Sequence, residues 1–285
     1  MGERSLEVLR TGPQASIQDL GRPGLAHLGV PRSGALDTPA HCLANRLVGN
    51  AEAAATLECL DGRILLRATT SVTVAVTGAR TWVRVSGRAR PWGQAVAVRA
   101  GAEIELGAAE EGLRAYLAVS GGIEVPQVLG SRSSDQLSGL GPDAVSPGTV
   151  LPLGSRTVPH FHVEAIGPSR RRERLRLRLG PRDDWFTPRS LEVLTASTYV
   201  VGSASNRIGL RLEGPALRRT RTGELDSEGM VLGAVQVPPN GRPVVFLNDH
   251  PTTGGYPVVG VVLREDLATC AQLRPGEQIG FEIVV

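Results

Sequence analysis

The residues best suited to bind a small anionic molecule lie in two polar, glycine-rich segments. The first covers residues 16–37 and leads into a predicted helix N-terminus. Its polar residues are Gln18, Asp19, Arg22, His27, Arg32 and Asp37, set among Gly21, Gly24, Gly29 and Gly34. Glycine lets the backbone approach a ligand, a helix start attracts anions, and arginine binds a carboxylate or phosphate through its planar guanidinium. A purely structural role, an Asp19–Arg22 turn followed by ordinary helix capping, is the alternative.

The second segment covers residues 236–257. Asp249 follows an apolar strand pattern, an arrangement that can hold a carboxylate rigidly. Tyr256 supplies a hydrogen-bond donor and a stacking face. The other polar or close-approach residues of this segment are Gln236, Thr252, Thr253, Gly254 and Gly255. A tight turn with Tyr256 as a lid over the core is equally consistent with the pattern. We expect Asp249→Asn to leave folding intact and to reduce turnover.

Three other patterns favour structural roles. The arginines of residues 170–178 alternate with leucines, as on a strand with one solvated face, and no aromatic residues interleave for base stacking. His160 and His162 have no third ligand at suggestive spacing, so we predict no metal site. Cys42, Cys59 and Cys270 form no CxxC pair, which favours free, buried thiols in a reducing compartment. The predicted location is cytoplasmic, since neither a secretory leader nor an apolar span of membrane length is visible.

Composition excludes several chemistries within this chain. The 31 basic residues are all arginine, because the sequence contains no lysine. A P-loop, a lysine Schiff base and a biotinylated lysine are therefore impossible here, so a biotin or a P-loop nucleotide site would have to belong to another polypeptide. A net charge of +3 is too small to indicate nucleic acid as a partner.

The spacing of apolar residues and glycines predicts a mainly β protein of two β-rich halves with a few short helices. Strands are predicted at residues 5–10, 72–76, 82–85, 103–106, 113–119, 174–179 and 191–193, among others. The best helix covers residues 38–48, with Asp37 as N-cap and Gly49 after its end. A second short helix is predicted at 264–272, and another glycine-rich loop at 125–148. We place the halves at residues 1–160 and 165–285.

Six blocks of the chain carry a family resemblance. In order, they are residues 16–24, 28–37, 44–50, 130–135, 236–239 and 252–257. Together they resemble the allophanate hydrolase subunit 2 family, also called the biotin-dependent carboxyltransferase family, which includes KipA-like proteins and the C subunit of 5-oxoprolinase. The resemblance implies a cyclophilin-like β-barrel architecture, with the C-terminal half forming the barrel. It also implies a KipI-like (allophanate hydrolase subunit 1) partner and a LamB/YcsF-like subunit.

The activity implied by the resemblance is ATP-dependent cleavage of 5-oxoproline to glutamate by a complex of several subunits. Binding of ATP is expected within the complex, and no biotin is expected on this chain. The expected acid–base or orienting residues are Asp19, Asp37, Asp249 and Tyr256. The expected substrate-binding residues are Gln18, Arg22, Gly34, Ser131, Arg132, Asp135, Gln236, Thr252, Thr253, Gly254 and Gly255.

Two alternatives stay open on the same motifs. One is a carboxyltransferase subunit that acts on urea or a similar small amide with a separate biotin carrier. The other is a KipA-like regulatory protein that binds a KipI-like inhibitor of a kinase.

Overall fold

A computed structural model describes residues 4–158, 171–221, 223 and 225–284 of the chain. The chain divides into two compact units. Unit 1 comprises Met1–Arg22, Ser33–Asp135 and Gly139–Arg170, and unit 2 comprises Pro23–Arg32, Gln136–Ser138 and Arg171–Val285. The predicted boundary between residues 160 and 165 lies outside the described residues, so the predicted domain limits stay a prediction. The first arginine of the arginine-rich segment 170–178 also lies outside them.

Unit 1 is built on a nine-stranded sheet in its described part. Its strands are β1 (Ser5–Arg10), β2 (Gln14–Gln18), β3 (Thr56–Leu60), β4 (Leu65–Ala68), β5 (Val72–Val85), β6 (Arg88–Arg90), β7 (Val96–Val98), β8 (Glu103–Val119) and β9 (Val150–Pro152). The main path runs β2-β3-β8-β4-β1-β9, and β5 pairs with β6, β7 and β8. Alternate residues of these strands, such as Leu57, Leu66 and Ile104, form the apolar core of the unit.

The two longest strands differ from the prediction. Residues 72–76 and 82–85 belong to one strand, β5, and residues 103–106 and 113–119 belong to another, β8. The glycines that suggested turns, Gly78 and Gly112, have positive φ values of 78° and 79° inside these strands. The register of the β5–β8 pair shifts next to Gly78. These glycines therefore allow β-bulges rather than chain reversals.

Helix α1 covers Thr38–Leu47 and confirms the predicted helix. Asp37 caps it, because its Oδ1 accepts a hydrogen bond from the Ala40 amide at 3.0 Å. Gly49 follows with a φ of 76°. The apolar stripe of the helix, which includes Leu43 and Leu47, packs with Tyr116 and Ala118 of β8.

Unit 2 contains a closed barrel of seven strands. They are β10 (Arg174–Leu179), β11 (Thr198–Val201), β12 (Gly209–Glu213), β14 (Ala234–Gln236), β15 (Val244–Phe246), β17 (Val258–Val262) and β18 (Gln278–Ile283). Around the barrel their order is β10-β17-β14-β15-β12-β11-β18. Two short strands, β13 (Glu228–Gly229) and β16 (Thr253–Gly254), pair separately. The closed barrel and the dominance of strands confirm the predicted fold class.

The short helices of unit 2 correct one strand prediction. Residues 191–193 lie in helix α2 (Pro188–Ala196), not in a strand. The Ser190 amide donates to Thr187 Oγ1 at 3.1 Å, and Pro188 occupies the first turn, so the start of a helix is specified just before the apolar residues. Helix α3 (Leu267–Gln272) follows a 3-10 turn, Arg264–Asp266, as expected for 264–272. None of the described helices has the length and apolar character needed to cross a membrane.

Candidate functional site

Asp19 connects the two glycine-rich loops of unit 1. Its Oδ1 accepts hydrogen bonds from Ser131 Oγ and Ser133 Oγ, both at 2.6 Å, and from the Gly21 amide at 2.7 Å. Its Oδ2 accepts from the Arg132 amide at 2.6 Å. Asp19 is buried, so these neutral donors take the place of water around the carboxylate. The two predicted loops, more than a hundred residues apart in the chain, therefore meet at one side chain.

Gln18 and the two predicted arginines strengthen the same junction. Arg22 is buried and donates to the carbonyl oxygens of Val128 and Ser133, at 3.2 and 2.6 Å. Arg132 donates to the Val125 carbonyl at 2.9 Å and to Glu124 Oε2 at 2.8 Å. Gln18 Nε2 donates to the Ser134 carbonyl at 3.0 Å. Asp135, which is also buried, lies in the same loop, where its carbonyl accepts from the Gly139 amide.

Gly34 makes the closest backbone approach in this cluster. It has a φ of 95°, and a Cβ added to it would lie 2.9 Å from the Gly21 nitrogen. A side chain at position 34 would therefore both strain the backbone and collide with the loop that holds Asp19. The group that Gly34 approaches is backbone, so its predicted role in substrate binding stays a prediction.

Asp37 lies in a separate buried network of unit 1. Its amide donates to Tyr116 Oη at 2.8 Å, and Tyr116 Oη donates to Glu58 Oε2 at 2.7 Å. Burial, with the nearby charges of Glu58 and Asp37, raises the pKa of the Tyr116 hydroxyl well above its ordinary value. The Asp37 side chain caps helix α1, and its predicted acid–base or orienting role stays a prediction.

His41 is fully buried on helix α1. Its Nδ1 lies 2.9 Å from Thr56 Oγ1, and its Nε2 lies 2.9 Å from the Glu52 carbonyl oxygen. A neutral ring satisfies both contacts when Nε2 donates to the carbonyl and Nδ1 accepts from the hydroxyl. Desolvation lowers the pKa of His41, against the opposing effect of the Glu52 hydrogen bond and of nearby carboxylates, including Asp19.

Asp249 forms a buried ion pair in unit 2. Arg207 Nε donates to its Oδ2 at 2.8 Å, and Arg207 Nη2 donates to its Oδ1 at 2.9 Å. The Gln136 amide adds a third hydrogen bond to Oδ2 at 2.9 Å. Both side chains are at most 2% exposed. This bidentate geometry holds the Asp249 carboxylate rigidly, as the sequence suggested, by means of a partner that the sequence did not reveal.

The remaining predicted residues of unit 2 gather around Gln236. Gln236 Nε2 donates to the Tyr256 carbonyl at 3.2 Å, and a Cβ on Gly254 would lie 2.7 Å from the same nitrogen. The Thr252 carbonyl accepts from the Met230 amide, and Thr253 pairs with Gly229 between β16 and β13. Gly255 follows this short pairing. Tyr256 is 39% exposed, so it is not a buried lid over the core.

Arg32 is one of the anion-binding candidates of the first loop, and its surroundings in unit 2 fit that chemistry. Its Nε is buried and has no hydrogen-bond partner within the described residues. Desolvation, followed by the positive charge of Arg264, lowers the pKa of the Arg32 guanidinium. An incoming carboxylate or phosphate would relieve both effects.

The structure adds residues that the sequence did not single out. Arg207 and Ser133 each bind a predicted aspartate, but neither belongs to a motif with recognisable spacing. His160 and His162 lie outside the described residues, and no group of three metal-ligating side chains is found in the described ranges. All three cysteines are buried, and burial raises the pKa of Cys59 and Cys270 to about 12.

Comparison with known proteins yields a family and its relatives. A family model described as "carboxyltransferase domain, subdomain A and B" matches residues 28–283. The C subunit of the 5-oxoprolinase of Escherichia coli K12 is 37% identical over 97% of this chain and 90% of its own length. The urea amidolyase of Saccharomyces cerevisiae is 31% identical over 97% of this chain, which spans only 16% of that protein.

Two solved structures share the fold over the whole chain. The crystal structure of TTHA0988 superposes with a TM-score of 0.88 at 35% identity, and this chain spans 56% of it. The urea amidolyase of K. lactis superposes with a TM-score of 0.91 at 29% identity, and this chain spans 19% of that protein. The same pair of units thus occurs as part of longer chains.

Proposed function

Because this chain belongs to the family of carboxyltransferase domains with subdomains A and B, as its motifs indicated, we propose that it is a subunit of an ATP-dependent 5-oxoprolinase. The complex would open the ring of 5-oxoproline to give glutamate. Its other subunits would be a KipI-like protein and a LamB/YcsF-like protein, with a cytoplasmic location.

One observation carries the proposal. The similarity to the C subunit of E. coli 5-oxoprolinase extends over 97% of this chain and 90% of that relative. The match covers nearly all of that subunit, whereas it covers 16% and 17% of the two urea amidolyases. The higher identity, 37% against 31% and 30%, and the nearly full coverage of the relative therefore favour the oxoprolinase function.

The proposed reaction needs groups that activate a stable amide. The lactam of 5-oxoproline is a poor electrophile, and transfer of the γ-phosphoryl group of ATP to its oxygen, with release of ADP, would activate the ring carbon. Water would then add to that carbon and the C–N bond would break, which opens the ring and leaves an acyl phosphate. A second water would hydrolyse the acyl phosphate to glutamate and phosphate. Recognition of 5-oxoproline also requires a cation for its carboxylate. The absence of lysine means that arginine must supply any such cation on this chain.

We place the substrate carboxylate at Arg32. The buried Nε of this side chain has no partner within the described residues, and Arg264 adds a second positive charge. Arg22 and Arg132, which the motifs favour, already donate to backbone carbonyls and to Glu124. In this proposal they shape the loops, and Arg32 contacts the substrate.

The predicted aspartates take positioning roles in this proposal. Asp19 accepts four hydrogen bonds, and Asp249 accepts three from Arg207 and Gln136. Carboxylates satisfied in this way hold loops in place rather than exchange protons with a substrate. Tyr256, with its exposed ring, remains a proposed donor or pocket wall.

The test measures ATP-dependent glutamate release from 5-oxoproline by this chain co-expressed with the two partner subunits. We expect turnover to vanish when this chain is omitted. We also expect Arg32→Gln to raise KM for 5-oxoproline by about tenfold or more, the effect of losing one charge-assisted contact. Arg189→Gln, at an 80% exposed arginine of α2, removes the same charge and serves as the control. Turnover that persists without this chain would refute the proposal.

A second function is favoured by the urea amidolyase matches. In that case this chain would help to move a carboxyl group from a carboxybiotin carrier to urea or a similar amide, with the biotin on another polypeptide. The distinguishing assay supplies a biotinylated carrier with a biotin carboxylase, bicarbonate and ATP, and follows carboxylation of urea. Activity there, together with none on 5-oxoproline, would select the carboxyltransferase role.

A further inference from the structure

A cavity of about 540 Å³ in unit 2 lies outside the predicted site residues. Its volume is within the range of small-molecule sites. Three arginines line it, together with a turn that contains Pro239, Asn240 and Gly241. The arginines are Arg218, Arg219 and Arg221. A concave, strongly basic surface of this size is suited to a small anion.

Arg219 is the central cation of this cavity. It is partly buried, and its Nε is buried with no hydrogen-bond partner within the described residues. Its Nη2 donates to the Val237 carbonyl, and its guanidinium carbon lies 5.9 Å from the centre of the Tyr256 ring. Desolvation lowers the pKa of Arg219. The side chain is thus held in place while part of its donor capacity is unused.

The neighbouring arginines differ in their partners. Arg221 donates to Asp184 Oδ2 at 2.6 Å and lies over the Trp185 ring, so its charge is already paired. Arg218 is exposed and forms no salt bridge within residues 4–158, 171–221, 223 and 225–284. Arg218 and Arg219 therefore provide the uncompensated charge.

The backbone around the cavity is held at several points. Ser190 Oγ accepts from the Arg218 amide at 2.9 Å and donates to the Arg218 carbonyl at 2.8 Å. The Leu217 amide donates to the Gly241 carbonyl at 2.9 Å. A Cβ on Gly241 would lie 2.8 Å from the Ala216 Cβ, so the two walls meet closely. This framework positions the arginines before any ligand arrives.

From these contacts we propose that the cavity between residues 216–221 and the turn at 239–241 binds the oxyanion group, carboxylate or phosphate, of a small molecule through Arg219 and Arg218. The unused Nε donor and Nη2 of Arg219 lie in one plane, which suits an oxyanion with two acceptor oxygens. Arg218 adds a second charge from the rim. Neither Arg32 nor Arg264 lines this cavity, and the proposal does not depend on which reaction the complex performs.

The test titrates the purified full chain with inorganic phosphate, ATP, acetate and 5-oxoproline by isothermal titration calorimetry at low salt. We expect at least one of these anions to bind. We expect Arg219→Gln to weaken that binding by about tenfold or more, and Arg218→Gln by a smaller factor, as expected for a charged contact at the rim. Arg189→Gln, with the same charge change at an exposed position that does not line the cavity, should weaken binding much less than Arg219→Gln.

The pattern of binding identifies the source of the oxyanion. Binding of phosphate and ATP alone indicates a phosphoryl ligand, and binding of acetate and 5-oxoproline alone indicates a carboxylate. The proposal is overturned if none of the four binds, or if Arg219→Gln and Arg189→Gln bind equally well. It is also overturned if Arg32→Gln abolishes all binding while Arg219→Gln retains it. Arg218→Gln keeps the test valid if Arg219→Gln does not fold.

Discussion

Asp19 in unit 1 and Asp249 in unit 2 are both buried carboxylates, but they are stabilised in different ways. Asp19 accepts hydrogen bonds from two serine hydroxyls and two backbone amides, all of them neutral donors. Asp249 faces the guanidinium of Arg207 in a bidentate pair. The Asp19 carboxylate thus contacts dipoles, with the buried Arg22 charge elsewhere in the same junction, whereas the Asp249 carboxylate contacts its opposite charge directly.

This difference determines how much stability is lost when each aspartate is replaced. Removing one member of a buried ion pair leaves the other charge without compensation, which is strongly destabilising. Removing the charge from a carboxylate held by neutral donors disturbs individual hydrogen bonds and breaks no direct ion pair. The comparison therefore predicts different losses of stability at two positions that the sequence presented as equivalent candidates.

The largest effect is expected from Asp249→Asn. The substitution leaves the Arg207 charge buried at 2% exposure, so we expect the free energy of unfolding to fall by about 3–5 kcal/mol. This revises the sequence-based expectation that folding would stay intact. Urea unfolding of the variant and the wild type measures the change.

Arg207→Gln and the double variant complete the cycle for this pair. Because Gln and Asn are both neutral and can bond to each other, the double variant should lose much less stability than the sum of the two single losses. Additive losses would show that the ion pair is not the source of the destabilisation, and the contrast with Asp19 would lose its basis.

Gly34→Ala tests the Asp19 cluster without altering its charge. The φ of 95° and the 2.9 Å approach to Gly21 combine backbone strain with a backbone collision, so we expect a loss of about 2–4 kcal/mol in stability. Gly24→Ala is the matched control, because Gly24 has a φ of 88° with nothing within 4 Å of an added Cβ. Equal losses in the two variants, by thermal or urea unfolding, would show that close approach at Gly34 is unimportant.

The sequence predicted the elements of both regions better than their contacts. Alternating apolar residues and glycines indicated the strands and the barrel class, and Asp37 with Gly49 bounded helix α1 almost to the residue. The turns predicted at Gly78 and Gly112 were wrong, because a positive φ permits a bulge within a strand as well as a turn. Thr187 and Pro188 could have revealed α2 by their capping pattern.

Contacts between side chains that are distant in sequence could not be predicted. Asp19 and Asp249 were found by residue type and motif, but Ser133 and Arg207 lie 114 and 42 positions away from them. Their pairing depends on how the loops and strands pack, which local spacing does not encode. The same holds for Arg219, whose role depends on a cavity formed by two separate segments.

We expect Asp19→Asn to lower the free energy of unfolding less than Asp249→Asn or Gly34→Ala does. The Asn oxygen can keep the three donors that Asp19 Oδ1 accepts, but its amide nitrogen would face the Arg132 amide, so one donor loses its acceptor. We expect a loss of about 1–3 kcal/mol in the free energy of unfolding. A loss as large as that of Asp249→Asn would contradict the distinction between neutral and charged partners.

The smallest expected effect on stability concerns His41, whose pKa the charge of Asp19 raises. Because desolvation places its folded pKa below the ordinary value of 6.5, the neutral ring is the form that the fold favours. The associated stability is complete above pH 6.5, falls as the pH decreases towards the folded pKa, and changes no further below it. Urea unfolding of wild type and His41→Gln between about pH 8 and pH 5 isolates this contribution, since other titrating groups cancel in the difference.

In an Asp19→Asn background, loss of the carboxylate lowers the His41 pKa further and extends the decline in stability to lower pH. A difference that is independent of pH would show that the ring carries the same charge in the folded and unfolded states.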